Sequence, residues 1–333
     1  MGVIISVYGG IGQGLLWAVL GIGVYLTFRI LDFPDLTAEG TVSLGCAVGL
    51  QFINEDISPL IATLLAALIG IFAGLCTGLL HTKLKIPAVL SGILTMIALY
   101  SINIRIMNGG TSVSIQSSQS ILAPLKNAFM DMGMERQIAT HTSTAVVGLT
   151  ACALVIALLY WFFGTQVGAA MRATGSNERM CRAQGIDTDS MKILTLCLSN
   201  GLIAMAGALV AQHMSYGGTN VGTGSIVMGL AAIILGEAFM GKRSPFYVKL
   251  ALVALGSVLY YIIITLIIFY GLLLPTDTKL ITAAMVVLAI SLPRFRRLAR
   301  IALDRLGFGK ADKKEKFMME PQLRANQKIE FKR

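Results

Sequence analysis

The chain has 333 residues, 55% of them hydrophobic and 13% charged, with a mean hydropathy of +0.75. Soluble domains carry roughly 25% charged residues, so about half that share excludes an ordinary soluble domain and points to lipid as the solvent. The net charge of +10 does not indicate nucleic acid: residues 294–333 alone hold 13 Lys and Arg against 5 Asp and Glu, and no nucleic-acid motif accompanies them.

A hydrocarbon core about 30 Å thick needs about 20 apolar residues per helix. Apolar segments fall near 9–31, 37–53, 58–80, 86–107, 142–163, 191–213, 224–241, 246–270 and 277–292. They predict an all-α polytopic membrane protein of about 8–10 transmembrane helices. The membrane domain is expected over 1–293, followed by a basic cytoplasmic tail over 294–333. No basic stretch precedes the first segment and no small-residue cleavage pattern follows it, so it reads as a retained helix.

Between the first two segments lies LDFPDLTAEGTVSLG, residues 31–45. Asp32 is expected to pair with Arg29, one turn back. Asp35, after Pro34, suits the start of the second helix, and Glu39 suits its positive end. That helix is short and carries Thr41 and Ser43 among glycines. Such helices often begin inside the membrane and line a cavity, so capping and pathway lining both stay open. Ser58-Pro59 and Pro87 mark helix starts, where the missing N–H of proline costs nothing. Gly70, Gly74 and Gly78 are spaced for close helix packing. Ser91, Thr95 and Asn103 recur at helical spacing on the fourth segment, and Ser199 and Asn200 lie inside the sixth. These read either as bonds between helices or as a polar substrate path.

The longest connection, 108–141, contains TSVSIQSSQS and reads as a solvated cap or a surface for an outside partner. His81, His141 and His213 are far apart, with His213 expected at the outer interface. Cys46, Cys76, Cys152, Cys181 and Cys197 form no CxxC pair. They read as packing residues, so neither a metal site nor a disulfide framework is expected. No catalytic motif and no nucleotide-binding G-x-x-x-x-G-K-[ST] occurs, so no catalytic residue is expected and any ATP dependence must come from a partner. Lys and Arg near 81–85, 172–192, 242–243 and in the tail agree with one orientation, N-terminus outside and C-terminus cytoplasmic. Pro275 and Pro293 end segments. Phe295, Leu298, Ile301, Ala302 and Leu306 form a rough stripe in the tail, read as a basic anchor or an interfacial helix, and 310–333 read as disordered.

The connection 164–190 is the charged stretch between an inward and an outward helix. Gly175-Ser176-Asn177 is expected to break the chain. Ser176 or Asn177 then caps a short helix over Glu178 to Gln184, including Arg179, Arg182 and Ala183, and Gly185 before Ile186 ends it. A helix of two turns is unstable alone, so the stretch reads as a docking surface rather than a plain loop.

GAAMRATGSNERMCRAQGIDTDSMKILTLCLSNGLIAMAGAL, starting at Gly168, resembles the cytoplasmic coupling segment of ABC importer permeases of the branched-chain amino-acid and ribose type. Gly168, Ala170, Ala173, Gly175, Asn177, Ala183, Gly185 and Ile186 carry the likeness, while Met180 and Cys181 stand where that family commonly has alanines. LDFPDLTAEG and GTGSIVMGLAAIILGEAFMGK are also similar to that family, with Glu237 in place of a common glycine. LDFPDLTAEGT and KIPAVLSGILTMIALYSINIRIMNGG look most like the branch associated with aromatic amino acids such as tryptophan or tyrosine. The resemblance implies a multi-pass protein of the bacterial plasma membrane that pairs with a second permease subunit, expected to be a copy of itself. It also implies a cytoplasmic ATP-binding subunit on residues 175–186, holding the ATP and Mg, and an extracytoplasmic substrate-binding protein. The alternatives are a nucleoside or sugar permease of the same family, or an ion-coupled transporter using Asp35 and Glu39.

Overall fold

A computed structural model describes residues 2–240, 244–271, 277, 280–284 and 287. The tail stripe, Pro275, Pro293, Lys242-Arg243 and most of the segment 277–292 lie outside the described residues. In chain order the helices are α1 Gly2–Tyr25, which runs into a π-turn Leu26–Leu31, then α2 Thr37–Asn54, α3 Pro59–Thr82, α4 Ala88–Ile106, α5 Ala123–Asp131, α6 Arg136–Phe163, α7 Gln166–Ser176, α8 Glu178–Ala183, α9 Thr188–Met214, α10 Ser225–Glu237 and α11 Phe246–Phe269. Among the described residues, six helices are long and apolar enough to cross a membrane: α1 with most of its π-turn, α3, α4, α6, α9 and α11. The segment 37–53 forms α2, of 18 residues, with Thr, Ser and Gly along its buried length. The segment 224–241 forms only 13 helical residues, about 20 Å of rise, too short for a full crossing.

Packing follows side-chain size. Lipid is as apolar as leucine, so helices associate through close backbone approach. On α3, Leu60, Leu64, Leu68 and Phe72 face outward while Ala62, Ala66, Gly70, Ala73 and Gly74 are buried. Gly70 and Gly74 rest on the backbone of α9 at Asn200 and Leu196, where a Cβ would overlap the carbonyl groups. α9 is the centre of the domain, with 67% of its most apolar stretch buried against 28–44% for the other five spans. It packs on α2 and α3 on one side and α1 on the other, while α1 also packs on α6 and α11.

The connection 108–141 contains more than a cap. β1, Ser112–Ser114, pairs antiparallel with β2, Tyr216–Gly218, in the register Val113 opposite Gly217. This two-stranded ribbon adds to the expected all-α fold and ties the connection to the end of α9. Three-residue strands show no periodicity in a sequence, so this pairing was invisible there. His213 sets its Nδ1 3.2 Å from the Thr144 hydroxyl, which joins α9 to α6.

The size rule can be tested on α3. Gly74→Leu is expected to lower the stability of the purified protein by about 1–3 kcal/mol, the usual cost of overpacking. Leu64→Ala, on the outward face, should change it by less than about 0.5 kcal/mol. Thermal unfolding in detergent, followed by size-exclusion recovery, reads both.

Candidate functional site

The chemistry-bearing residues gather at three levels: the 166–190 segment, a buried polar cluster behind it, and a loop between two cavities.

α7 is capped by Thr165, whose hydroxyl accepts from the Gly168 N–H at 3.3 Å. Gly175 and Ser176 belong to its last turn, so the expected break falls at Asn177 alone. Gly175 serves a different purpose. It lies against the π-turn, where a Cβ would overlap the Ile30 carbonyl oxygen. Asn177 takes an extended backbone and its side chain accepts from the Met180 N–H at 3.1 Å, which starts α8. Gly185, at φ +80°, turns the chain out of the helix, and Ile186 donates its N–H back to the Cys181 carbonyl.

α8 is held to the start of α9 by ions. Glu178 Oε1 accepts from Lys192 Nζ at 2.7 Å and from Arg182 Nη2 at 2.9 Å. Arg182 also reaches Asp189 at 2.9 Å and the Thr188 hydroxyl at 2.8 Å. The Lys192 hydrogen bond is the main reason the Glu178 carboxyl titrates below the usual range. The Arg182 pairs are partly exposed, and such pairs contribute only about 0–1 kcal/mol each, while Lys192 is more enclosed; together they orient α8 on α9. Cys181 is buried, while Arg179, Met180 and Ala183 face outward.

Behind this segment lies a cluster closed to solvent. Asp35 has no exposure. Its carboxylate accepts from the Thr37 N–H at 2.9 Å, as expected of a helix-start acid, and from Asn200 Nδ2 at 2.7 Å. Thr41 donates to Asn200 Oδ1 at 2.7 Å. Thr37, Thr77 and Thr95 join hydroxyls at 2.7 and 3.0 Å. Ser199 donates to the Gly23 carbonyl at 2.8 Å, and Ser91 to the Ala88 carbonyl at 2.8 Å. The fold therefore brings Asp35, Thr41, Thr95 and Asn200 into one region, each bonded within the protein.

Three other residues of the sequence set do line a cavity. Glu39, Ser43 and Asn103 border a space of about 350 Å³ with Tyr100, Thr219 and Thr223. Glu39 lies in the first turn of α2, as expected, and also reaches a second helix. Its carboxylate accepts from the Gly224 N–H at 3.0 Å and so sits at the start of α10. Ser43 donates to the Thr219 carbonyl at 2.9 Å and accepts from the Gly222 N–H at 3.2 Å. The loop 219–224 is thus latched onto α2. Its other side borders a cavity of about 710 Å³ between α1, α10 and α11, and Thr223 lines both spaces.

Arg29 does not pair with Asp32. Asp32 ends the π-turn at φ 55°, and Arg29 instead makes an ion pair with Glu237, the last residue of α10. Sequence reasoning missed this pair and the larger cavity, because their parts are far apart in the chain. It also missed Asp187, whose carboxylate accepts from the Asp189 and Ser190 N–H groups at the start of α9. Among the described residues no group of His, Cys, Asp and Glu is arranged to hold a metal.

Residues 6–291 match the family model for the branched-chain amino acid transport system permease component. The chain belongs to this family of ABC-type permeases. It is 38% identical to a tyrosine transport system permease protein of Clostridioides difficile (strain R20291), over 83% of this chain and 87% of that one. It is 28% identical to an uncharacterized protein of Rickettsia prowazekii (strain Madrid E), over 86% and 96%. A ribose import permease protein of Escherichia coli (strain K12) is 23% identical, over 66% and 65%. No solved structure matches the chain.

The ion pairs on α8 give a pH test. A carboxyl whose folded pKa is depressed stabilises above its ordinary value, here 4.5, and that contribution is lost as pH falls through the folded value. A spin label at Ala183→Cys should therefore gain mobility as pH drops below that ordinary value. With Glu178→Gln it should already be mobile at neutral pH.

Proposed function

We propose that this chain is the permease subunit of a bacterial ABC importer for an amino acid, of the aromatic kind. The carrying observation is α8: a capped helix with Arg179, Met180 and Ala183 outward, rooted through Gly175 on the π-turn of the first helix. In an ATP-driven importer, a subunit without a nucleotide-binding motif receives its energy through such a surface. In this reading a cytoplasmic ATPase, holding the ATP and Mg, docks on residues 175–186. A second copy of the chain completes the pathway, and a substrate-binding protein delivers the solute from outside. The N-terminus lies outside and the C-terminus in the cytoplasm. The tyrosine permease relative supports an amino acid as cargo.

The contacts give that surface a route inward. Force on α8 passes to α9 through Glu178 and Lys192, and to the π-turn through Gly175 and Ile30. The π-turn leads directly to Asp35, which is bonded to α9 at Asn200 and starts α2. α10 is tied to this corner at both ends, by Arg29 to Glu237 and by Glu39 to the Gly224 N–H. Arg29 and Glu237 are partly exposed, and an exposed pair is worth about 0–1 kcal/mol. Reversing a two-state equilibrium from 1:99 to 99:1 takes about 5.5 kcal/mol. The exposed pair is therefore easily exchanged during switching, while the buried Asp35 cluster moves as a unit.

The test is co-purification from mild detergent. The native chain should carry an ATPase subunit and show substrate-stimulated ATP hydrolysis, and Ala183→Glu should lose both while Ala183→Ser keeps them. Nucleotide-independent tyrosine uptake by the chain alone in vesicles would instead support an ion-coupled transporter.

A further inference from the structure

We propose that the 350 Å³ cavity between α2, α4 and the loop 219–224 binds its solute by the ammonium group, with the Glu39 carboxylate as the counter-charge. The site deepens the importer reading and rests on it for the identity of the cargo, an amino acid.

Glu39 stands deep in the membrane domain. Its neighbour Gly40 packs on Met96 and Leu99, at the middle of α4, and α4 is one of the spans long and apolar enough to cross. A charged side chain near the middle of a bilayer costs roughly 3 kcal/mol on insertion scales, so it faces protein or water and marks a path for a solute or ion. Among the described residues Glu39 makes no ion pair. Its one side-chain hydrogen bond there comes from the Gly224 N–H to Oε1. A helix start offers about half a positive charge, which leaves about half of the carboxylate's charge without a counterpart. Glu39 is half-buried, and it is the single charged residue in the described lining of the cavity.

The space is of ligand size, since small-molecule pockets run from about 300 Å³ upward. A primary ammonium brings a full positive charge and three N–H donors. An uncharged solute such as a sugar would displace water from the carboxylate and leave it without a cation, which is costly. Met96, Ile97 and Tyr100 continue the wall along α4, with Met96 and Tyr100 one turn apart on one face. They offer a thioether, a branched chain and a ring to an apolar or aromatic side chain. None of the described lining residues is Lys or Arg, so an amino-acid carboxylate gains no counter-charge in the cavity. It stays in water on the open side, where Thr223 is exposed. The cavity thus reads the ammonium and the side chain, and is indifferent to the carboxylate.

Ile97 lines the cavity and is 59% exposed, so Ile97→Cys places a thiol there. The full chain in nanodiscs is labelled with a cationic trimethylammonium-ethyl and an anionic sulfonatoethyl methanethiosulfonate. The Ile97 chain serves as background, and each rate is divided by that of the reagent with a free thiol in water. The cationic reagent should be favoured about tenfold. Glu39→Gln, which keeps an acceptor for the Gly224 N–H, should erase that preference. L-tyrosine and tyramine should slow the labelling saturably. Hydroxyphenylpropanoate, which is tyrosine without its ammonium, and ribose should not. No labelling by either reagent, equal labelling by both, a preference that survives Glu39→Gln, or tyramine protecting no better than hydroxyphenylpropanoate would overturn the site. The solute comparison uses the chain with Glu39 intact, so it decides even where Glu39→Gln fails to fold. ATP-driven tyrosine uptake by the assembled transporter separates the two readings. Uptake without ammonium-dependent protection sinks the site and leaves the importer standing. Protection without such uptake does the reverse.

Discussion

A carboxylate with no exposure ties the corner between the first two helices to the centre of the molecule. Asp35 stands at the corner between the first two helices, and its two oxygens accept from the Thr37 N–H and from Asn200. A buried acid is costly unless its hydrogen bonds are made. Here they are made by the start of α2 and by α9, the most buried span. Thr41 completes the set by bonding the other end of the Asn200 amide. The corner is thus fixed relative to α9, and whatever pushes the corner pushes α2 with it.

Small residues surround this corner because backbones must meet there. Gly175 lets α7 lie on the Ile30 carbonyl, and Gly222 lets the loop 219–224 lie on the Glu39 carbonyl. A Cβ at either position would separate the elements that the proposed importer needs in register. Met180 and Cys181 fit the same logic from opposite sides: Cys181 is tucked under α8, and Met180 is presented outward. A flexible thioether suits the docking surface proposed for α8.

Much of this was legible in the residues, and the limit is physical. Caps are local, so Asn177, Gly185 and Asp35 announced their roles over two to four positions. Spans were legible because a bilayer demands long apolar runs, although helix length still decided that 224–241 stops at Glu237. The Arg29–Asp32 pair was a reasonable local expectation that the π-turn and the left-handed Asp32 defeat. Arg29 found Glu237 across 208 positions, a partnership no spacing rule detects. The same holds for Glu39, which suits its own helix by position and also serves the start of another. Trp17, Ser225 and Tyr261 share a cavity wall only after α1, α10 and α11 have packed.

The central claim is that the Asp35–Asn200 corner carries motion from the coupling segment to the loop between the cavities. Thr223 is exposed and lines both spaces, so Thr223→Cys reports on that loop. In the reconstituted complex, its labelling rate by a membrane-impermeant thiol reagent is measured with and without ATP, using the Thr223 chain as background. Nucleotide should change the rate severalfold, and Asn200→Ala should abolish that change while leaving ATPase co-purification intact. An undiminished nucleotide effect in Asn200→Ala would contradict the account, because motion would then reach the loop by another route.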